Sequence, residues 1–166
     1  MITKDDVYTV KYECHSLPQF IERADSLRKI LHPSVRILYL SGPLGAGKTT
    51  FARGWLRSSG VTGPIKSPSY SMVETYDETS MGIIHHIDLY RINDVDEVRC
   101  LGLEEYIDDH LIIEWPNKGV DKILDYDLSI DIEINGDARV VTLKTKDNAV
   151  KDKLSVYAGQ IKDSSR

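Results

Sequence analysis

The chain has 166 residues, a formal net charge of −5, 41% apolar residues and two cysteines. That length suits one domain with a buried core, and the acidic balance argues against a broad basic face that grips nucleic acid unaided. No apolar run approaches the ~20 residues of a membrane span. The start "MITKDDVYTV" lacks the basic and apolar parts of a secretory leader, and Cys14 and Cys100 lack metal-ligand spacing, so the chain reads as cytoplasmic with reduced thiols.

In chain order, "YTVKYEC" (Tyr8 to Cys14) alternates like a strand. "SLPQFIERADSLRKIL" opens with a capping box, Ser16 and Gln19, and sets Phe20, Ile21, Ala24, Leu27 and Leu31 on one helical face. "VRILYL" (Val35 to Leu40) is a short run of β-branched and aromatic residues and predicts a buried strand.

The next stretch, "SGPLGAGKTTF", fits G-x-x-x-x-G-K-[ST] with Gly42, Gly47, Lys48 and Thr49 in the fixed places. A glycine cluster needs a backbone reason. Here the reason is a loop whose N–H groups, with the N-terminus of the following helix, wrap a polyphosphate. The helix itself is legible in "TTFARGWLRSSG", with Phe51, Trp55 and Leu56 at helical spacing and Gly60 as the stop. Strand, loop and helix together predict nucleotide binding by Gly42, Leu44, Gly45, Ala46, Gly47, Lys48, Thr49 and Thr50. Lys48 is expected to pack against nothing until phosphate arrives.

"KSPSY" (Lys66 to Tyr70) follows, where P-loop switch proteins keep a mobile segment; Ser67 and Ser69 are candidate sensors of a γ-phosphate, or members of a loop stiffened by Pro64 and Pro68. "YSMVETY" and "GIIHHIDLY" read as strands joined by the polar turn "DETSM". Short acidic helices follow around Asp96 to Cys100 and Glu104 to Asp109, then the strand "HLIIEW", ended by Pro116. "LSIDIEINGDARVVTLK" is a hairpin with Asn135-Gly136 at its turn. The pattern divides into a P-loop domain over residues 1–146 and a polar tail over 147–166, helical or frayed. The fold class is therefore α/β: one P-loop domain, a central mixed sheet flanked by helices, and a β-hairpin near the C-terminus.

A phosphate loop needs a metal partner. Mg²⁺ takes oxygen ligands from the loop Ser/Thr, phosphates, water and a strand-end carboxylate. Thr49 fills the first role, and Glu114, the acid ending "LIIE", is the leading carboxylate in the Walker B form. Asp88 is the second acid and shares a strand face with His86. Glu114, Asp88 and Lys48 are thus the candidate catalytic residues, and Thr49, Asp88 and Glu114 the candidate metal ligands. A zinc-type cluster of His85, His86 and Asp88 is the minor alternative, with only two ligands on one face.

With those pieces in place, the chain resembles the bacterial TsaE family, formerly YjeE. The blocks that carry the resemblance are "LSGPLGAGKTTFARG", "KSPSYSMVETY", "HHIDLYRI", "LGLEEYIDD" and "IIEWPNKG", spanning about Leu40 to Gly119. The resemblance implies an ATPase needed to make threonylcarbamoyladenosine in tRNA, one that joins TsaB and TsaD homologues and hydrolyses ATP so that their assembly turns over. It implies Lys48 on the phosphates, Thr49 and Asp88 on Mg²⁺, Glu114 in the Walker B place, and Trp115 and Ser67–Ser69 close by. Two positions depart from the family pattern: Pro43 stands for the usual acidic residue, and Ser69 for threonine. No broad tRNA binding by this chain alone and no membrane partner are expected.

Three rival readings carry signatures of their own. A small-molecule kinase usually has an arginine-rich lid, and here no two arginines lie closer than Arg53 and Arg57. A GTPase-type switch needs N-K-x-D, whereas "NKGVD" puts Val120 in the aspartate's place. A nucleotide-dependent binding switch with little catalysis would not need Glu114 and Asp88.

Overall fold

The computed structural model describes residues 6–77 and 79–164. The first five residues of the stretch read against a leader, Glu78 of the polar turn, and the last two residues of the tail lie outside the described residues.

Strand β1 (Tyr8–Cys14) leads into helix α1 (Leu17–Leu31), then β2 (Ile37–Ser41) and helix α2 (Lys48–Ser58). Strands β3 (Val73–Tyr76) and β4 (Ile84–Asp88), helix α3 (Val95–Cys100) and β5 (His110–Glu114) follow. The hairpin β6 (Leu128–Asn135) and β7 (Ala138–Thr145) precedes helix α4 (Asn148–Ser164). All seven strands form one sheet in the order β1-β7-β6-β2-β5-β4-β3. The central run β6, β2, β5 and β4 is parallel, and β1, β7 and β3 pair antiparallel at its margins. This is the mixed α/β sheet expected from the sequence.

Alternation along the parallel strands sorts side chains onto two faces. Leu38, Leu40, Ile112, Leu128 and Ile130 join Phe20, Leu27, Phe51 and Trp55 in the core beneath α1, α2 and α4. Tyr39, Leu111, Ile113 and Ile87 join Val98, Leu103 and Val120 on the other face. Burial of these strands on both sides explains their continuous apolar runs.

Local chemistry sets the ends. Ser16 caps α1 by accepting from the Gln19 N–H (3.3 Å), and the Gln19 side chain accepts from the His15 N–H (2.7 Å), one residue before the usual reciprocal partner. Ile21 of the predicted apolar face is 41% exposed; the core takes Phe20, Ala24, Leu27 and Leu31. Asp94 caps α3 through the Asp96 and Glu97 N–H groups.

Three details differ from the sequence reading. The strand predicted from Tyr70 begins at Val73, because residues 68–72 close a turn in which the Met72 N–H donates to the Pro68 carbonyl (2.7 Å) and Met72 takes φ 64°. The second acidic helix shrinks to a 3₁₀ turn at Leu103–Glu105, since Gly102 has turned left-handed and the chain must re-enter the sheet at His110. Hairpin pairing of Asn135 with Ala138 puts Gly136 and Asp137, not Asn135 and Gly136, at the centre of the turn. Of the two readings of the tail, helical or frayed, residues 148–164 take the helical one, with Val150, Leu154, Tyr157 and Ile161 buried in the core under α1 and the β1–β7 edge.

Candidate active site

The parallel strands β2, β5 and β4 all deliver their C-terminal ends to one edge of the sheet, where open α/β sheets place ligands. From β2 the chain enters the glycine loop. Gly42 has φ +143°, and a Cβ there would sit 2.3 Å from the Ile132 carbonyl oxygen, so no other residue fits against β6. Gly47, at φ +112°, begins α2 without any side-chain cap. The first-turn N–H groups of α2 are therefore left for an acceptor that is not part of the helix, with the positive end of its dipole behind them.

Asp88 and Glu114 are paired in register on β4 and β5, on the face that α2 covers. Both are buried. The Thr49 hydroxyl donates to Glu114 Oε2 (3.1 Å), bringing the motif's hydroxyl against the carboxylate that ends β5. Glu114 Oε1 lies 2.7 Å from His86 Nε2. An ionised Glu114 makes Nε2 the donor, leaving His86 Nδ1 as a buried lone pair without a hydrogen-bond partner among the described residues. His86 thus orients the carboxylate from behind, a role that sequence reasoning missed; the strand-face pairing of His86 with Asp88 was its visible signal.

Asp88 accepts from the Tyr90 N–H at Oδ1 (2.9 Å) and from the Ser69 hydroxyl at Oδ2 (3.1 Å). Ser67 Oγ is 2.7 Å from Ser69 Oγ, so the candidate switch segment reaches the site through Ser69, with Ser67 behind it.

Lys48 departs from expectation. It is buried, donates to the carbonyls of Gly42 (2.7 Å) and Pro43 (2.9 Å), and lies 3.9 Å from the centre of the Trp115 ring. The sequence reading had it packing against nothing; main-chain acceptors of its own loop and an aromatic face supply what spacing does not show. Burial lowers its pKa from the usual lysine value, and the negative charges of Glu114 and Asp88 oppose that shift. Trp115 reaches this position because it adopts left-handed backbone (φ 60°, ψ 50°), while its N–H remains tied to the Leu40 carbonyl (3.1 Å).

A cleft of about 630 Å³ gathers these groups: Leu44, Gly45, Gly47, Lys48, Thr49, Thr50, Ser69, Asp88 and Glu114 line it, together with Tyr90 and Trp115. Two of the predicted loop residues do not line it. Ala46 is fully buried, and Gly42 contributes its carbonyl to Lys48. Arg139 of β7 was not anticipated. Its Nε donates to the Ala46 carbonyl (2.9 Å), and it clamps the loop from the hairpin side, a contact across 93 residues of sequence.

The donor set suits a hard cation. Thr49, Asp88 and Glu114 offer oxygen only, and Mg²⁺ characteristically takes one or two protein carboxylates and fills its shell with phosphate oxygens and water. The zinc-type alternative finds no support. Among the described residues no group of three His, Cys, Asp or Glu is arranged to hold a metal. His85 lies on the opposite face from His86 and Asp88, with its ring nitrogens near Thr75 Oγ1 and Asp109 Oδ2, both at 2.9 Å. The "NKGVD" stretch is a structural turn. Val120 is fully buried, and Gly119 (φ +129°) approaches the α3 backbone so closely that a Cβ would lie 2.8 Å from Val95 Cα.

Asp88→Asn tests the proposed ligand set. The variant is expected to need about tenfold more Mg²⁺ for half-saturation of the cleft. An unchanged requirement in a magnesium titration would remove Asp88 from the metal site.

The family model for threonylcarbamoyl adenosine biosynthesis protein TsaE matches residues 14–141. The tRNA threonylcarbamoyladenosine biosynthesis protein TsaE of Haemophilus influenzae is 36% identical over 137 residues, covering 81% of this chain and 86% of that protein. Its Bacillus subtilis counterpart is 34% identical over 103 residues, 61% of this chain and 63% of that one. The crystal structure of Bacillus subtilis YdiB matches with a TM-score of 0.74, covering 95% of this chain and 98% of its own, at 23% identity, a likeness of fold.

Proposed function

Because the chain belongs to the TsaE family of threonylcarbamoyl adenosine biosynthesis proteins, we propose that it binds MgATP in the Lys48–Glu114 cleft and hydrolyses it in the cytoplasm, in support of a TsaB–TsaD pair that modifies tRNA. The observation that carries this reading is the contact of Thr49 with Glu114 beside Asp88 and Lys48, at the uncapped start of α2. The net charge of −5 supports a partner, rather than this chain, as the tRNA-binding component.

In this mechanism the α2 N–H groups and Lys48 hold the phosphates. Thr49, Asp88 and Glu114 are the oxygens that would hold Mg²⁺, which when bound neutralises charge on the phosphates. Glu114, fixed at one oxygen by His86, orients the attacking water. Ser69 ties the Ser67–Ser69 segment to Asp88, so that segment senses the metal and γ-phosphate through one hydrogen bond.

Lys48 is the only lysine or arginine among the described residues that line the cleft. Arg57 is bound to the carbonyls of Val61 and Gly63, and the Arg91 guanidinium rests 4.4 Å from the Tyr70 ring centre. Phosphoryl transfer depends on cations that offset charge developing on the γ-phosphate. Hydrolysis by the isolated chain is therefore expected to be slow, and addition of the cognate TsaB–TsaD pair is expected to raise the steady-state rate at least tenfold. Equal rates with and without the pair would refute the partner role. An acceptor-dependent loss of ATP would favour a kinase instead.

A further inference from the structure

A groove of about 410 Å³ opens on the side of the sheet away from α2, between α3, the Leu103–Glu105 turn and the chain that follows Val120. Val98 and Leu103, both buried, line it with Leu124. Ile107 and Ile123 stand 42% and 44% exposed on the same hollow, so two bare β-branched side chains border one apolar surface. The walls are already in place. The Arg36 side chain donates to the Ile107 carbonyl and the Tyr39 hydroxyl to that of Leu124, which pins both sides of the groove to β2 and the residue before it. None of these lining residues belongs to the Lys48–Glu114 cleft.

The rim is acidic. From Asp94 to Asp109 the chain carries seven carboxylates against one cation, Arg99, which is itself paired with Asp96 (2.9 Å). Glu104, on the groove, and the exposed Glu105 and Asp108 make no hydrogen bond or ion pair with any described residue. On the other wall Asp121 and Asp125 flank Ile123 and Leu124, with Lys122 the one cation between them. That charge selects the occupant. Nucleic acid and an anionic membrane are repelled, and a second copy placed face to face would set two acidic rims together. None of the lining residues lies on a strand, so no open sheet edge is offered and the occupant must satisfy its own main-chain groups.

We propose that this groove docks a basic amphipathic helix of a protein partner. The apolar stripe of that helix covers Ile107 and Ile123, and its lysines or arginines meet Glu104, Glu105 and Asp108. Because the groove and the nucleotide cleft have no lining residue in common, docking is measurable whether or not the chain holds ATP.

The probe is a fluorescein-labelled peptide of leucine and lysine whose leucines fall at i, i+3, i+4 and i+7. By fluorescence anisotropy it is expected to bind the full chain about tenfold tighter than a scrambled peptide of the same composition, or than one with glutamate for lysine. Ile107→Ser and Ile123→Ser are each expected to weaken it about five- to tenfold. Reversing the exposed pair, Glu104→Lys with Glu105→Lys, is expected to weaken it about fivefold at low salt. Thermal melting checks that each variant is folded. Equal binding of the ordered and scrambled peptides, or undiminished binding by both serine variants, would overturn the proposal. So would a wild-type dimer in sedimentation that Ile107→Ser dissolves, which would give the groove to a second copy.

Discussion

Replacing Glu114 with glutamine is expected to slow ATP hydrolysis by about 10²–10⁴-fold while leaving ATP bound, the range that general base and water-orienting groups typically contribute. Glutamine has nearly the shape of glutamate, and its two contacts survive the change. The amide oxygen accepts from His86 in place of Oε1, and the amide nitrogen donates to the Thr49 hydroxyl, which reverses its own role. What disappears is the negative charge and one acceptor towards the cleft. Binding should persist, because the phosphate-holding groups belong to the loop and α2. Single-turnover hydrolysis read beside calorimetric ATP affinity separates the two quantities. Normal hydrolysis in this variant would remove Glu114 from the chemistry.

Lys48→Ala is expected to reduce ATP affinity about a hundredfold, since hydrogen bonds to charged groups are each worth about 1.5–3 kcal/mol. The tertiary structure changes how this experiment must be read. In this structure Lys48 holds the carbonyls of Gly42 and Pro43 and lies against Trp115. On the proposed reading, bound phosphate would exchange those acceptors for stronger, charged ones. The substitution therefore also frees the loop carbonyls, and Lys48→Met, which keeps the apolar stem against Trp115, is the better-matched companion. Both variants are expected to lose affinity, with Met retaining more of the thermal stability measured without nucleotide. Unchanged ATP affinity in both would show that the loop does not grip phosphate through Lys48.

By itself the sequence determined what rests on local rules. Strand, glycine loop and helix follow from β-branched runs, a helical face and the backbone freedom that Gly42 and Gly47 require. Asp88 and Glu114 were legible as acids ending buried strands, and parallel pairing sets them side by side. Helix α4 was harder, because the buried Val150, Leu154, Tyr157 and Ile161 stand among mostly polar residues and leave a helix and a frayed tail alike in composition. Only the tertiary structure decided the contacts that cross the chain. His86 meets Glu114 over 28 residues, and Arg139 clamps the loop over 93. The resting place of Lys48, the left-handed turn of Trp115 and the acid-rimmed groove beside α3 belong to the same class. Such contacts depend on which strands become neighbours and on main-chain groups with no sequence identity of their own. Spacing along the chain encodes neither.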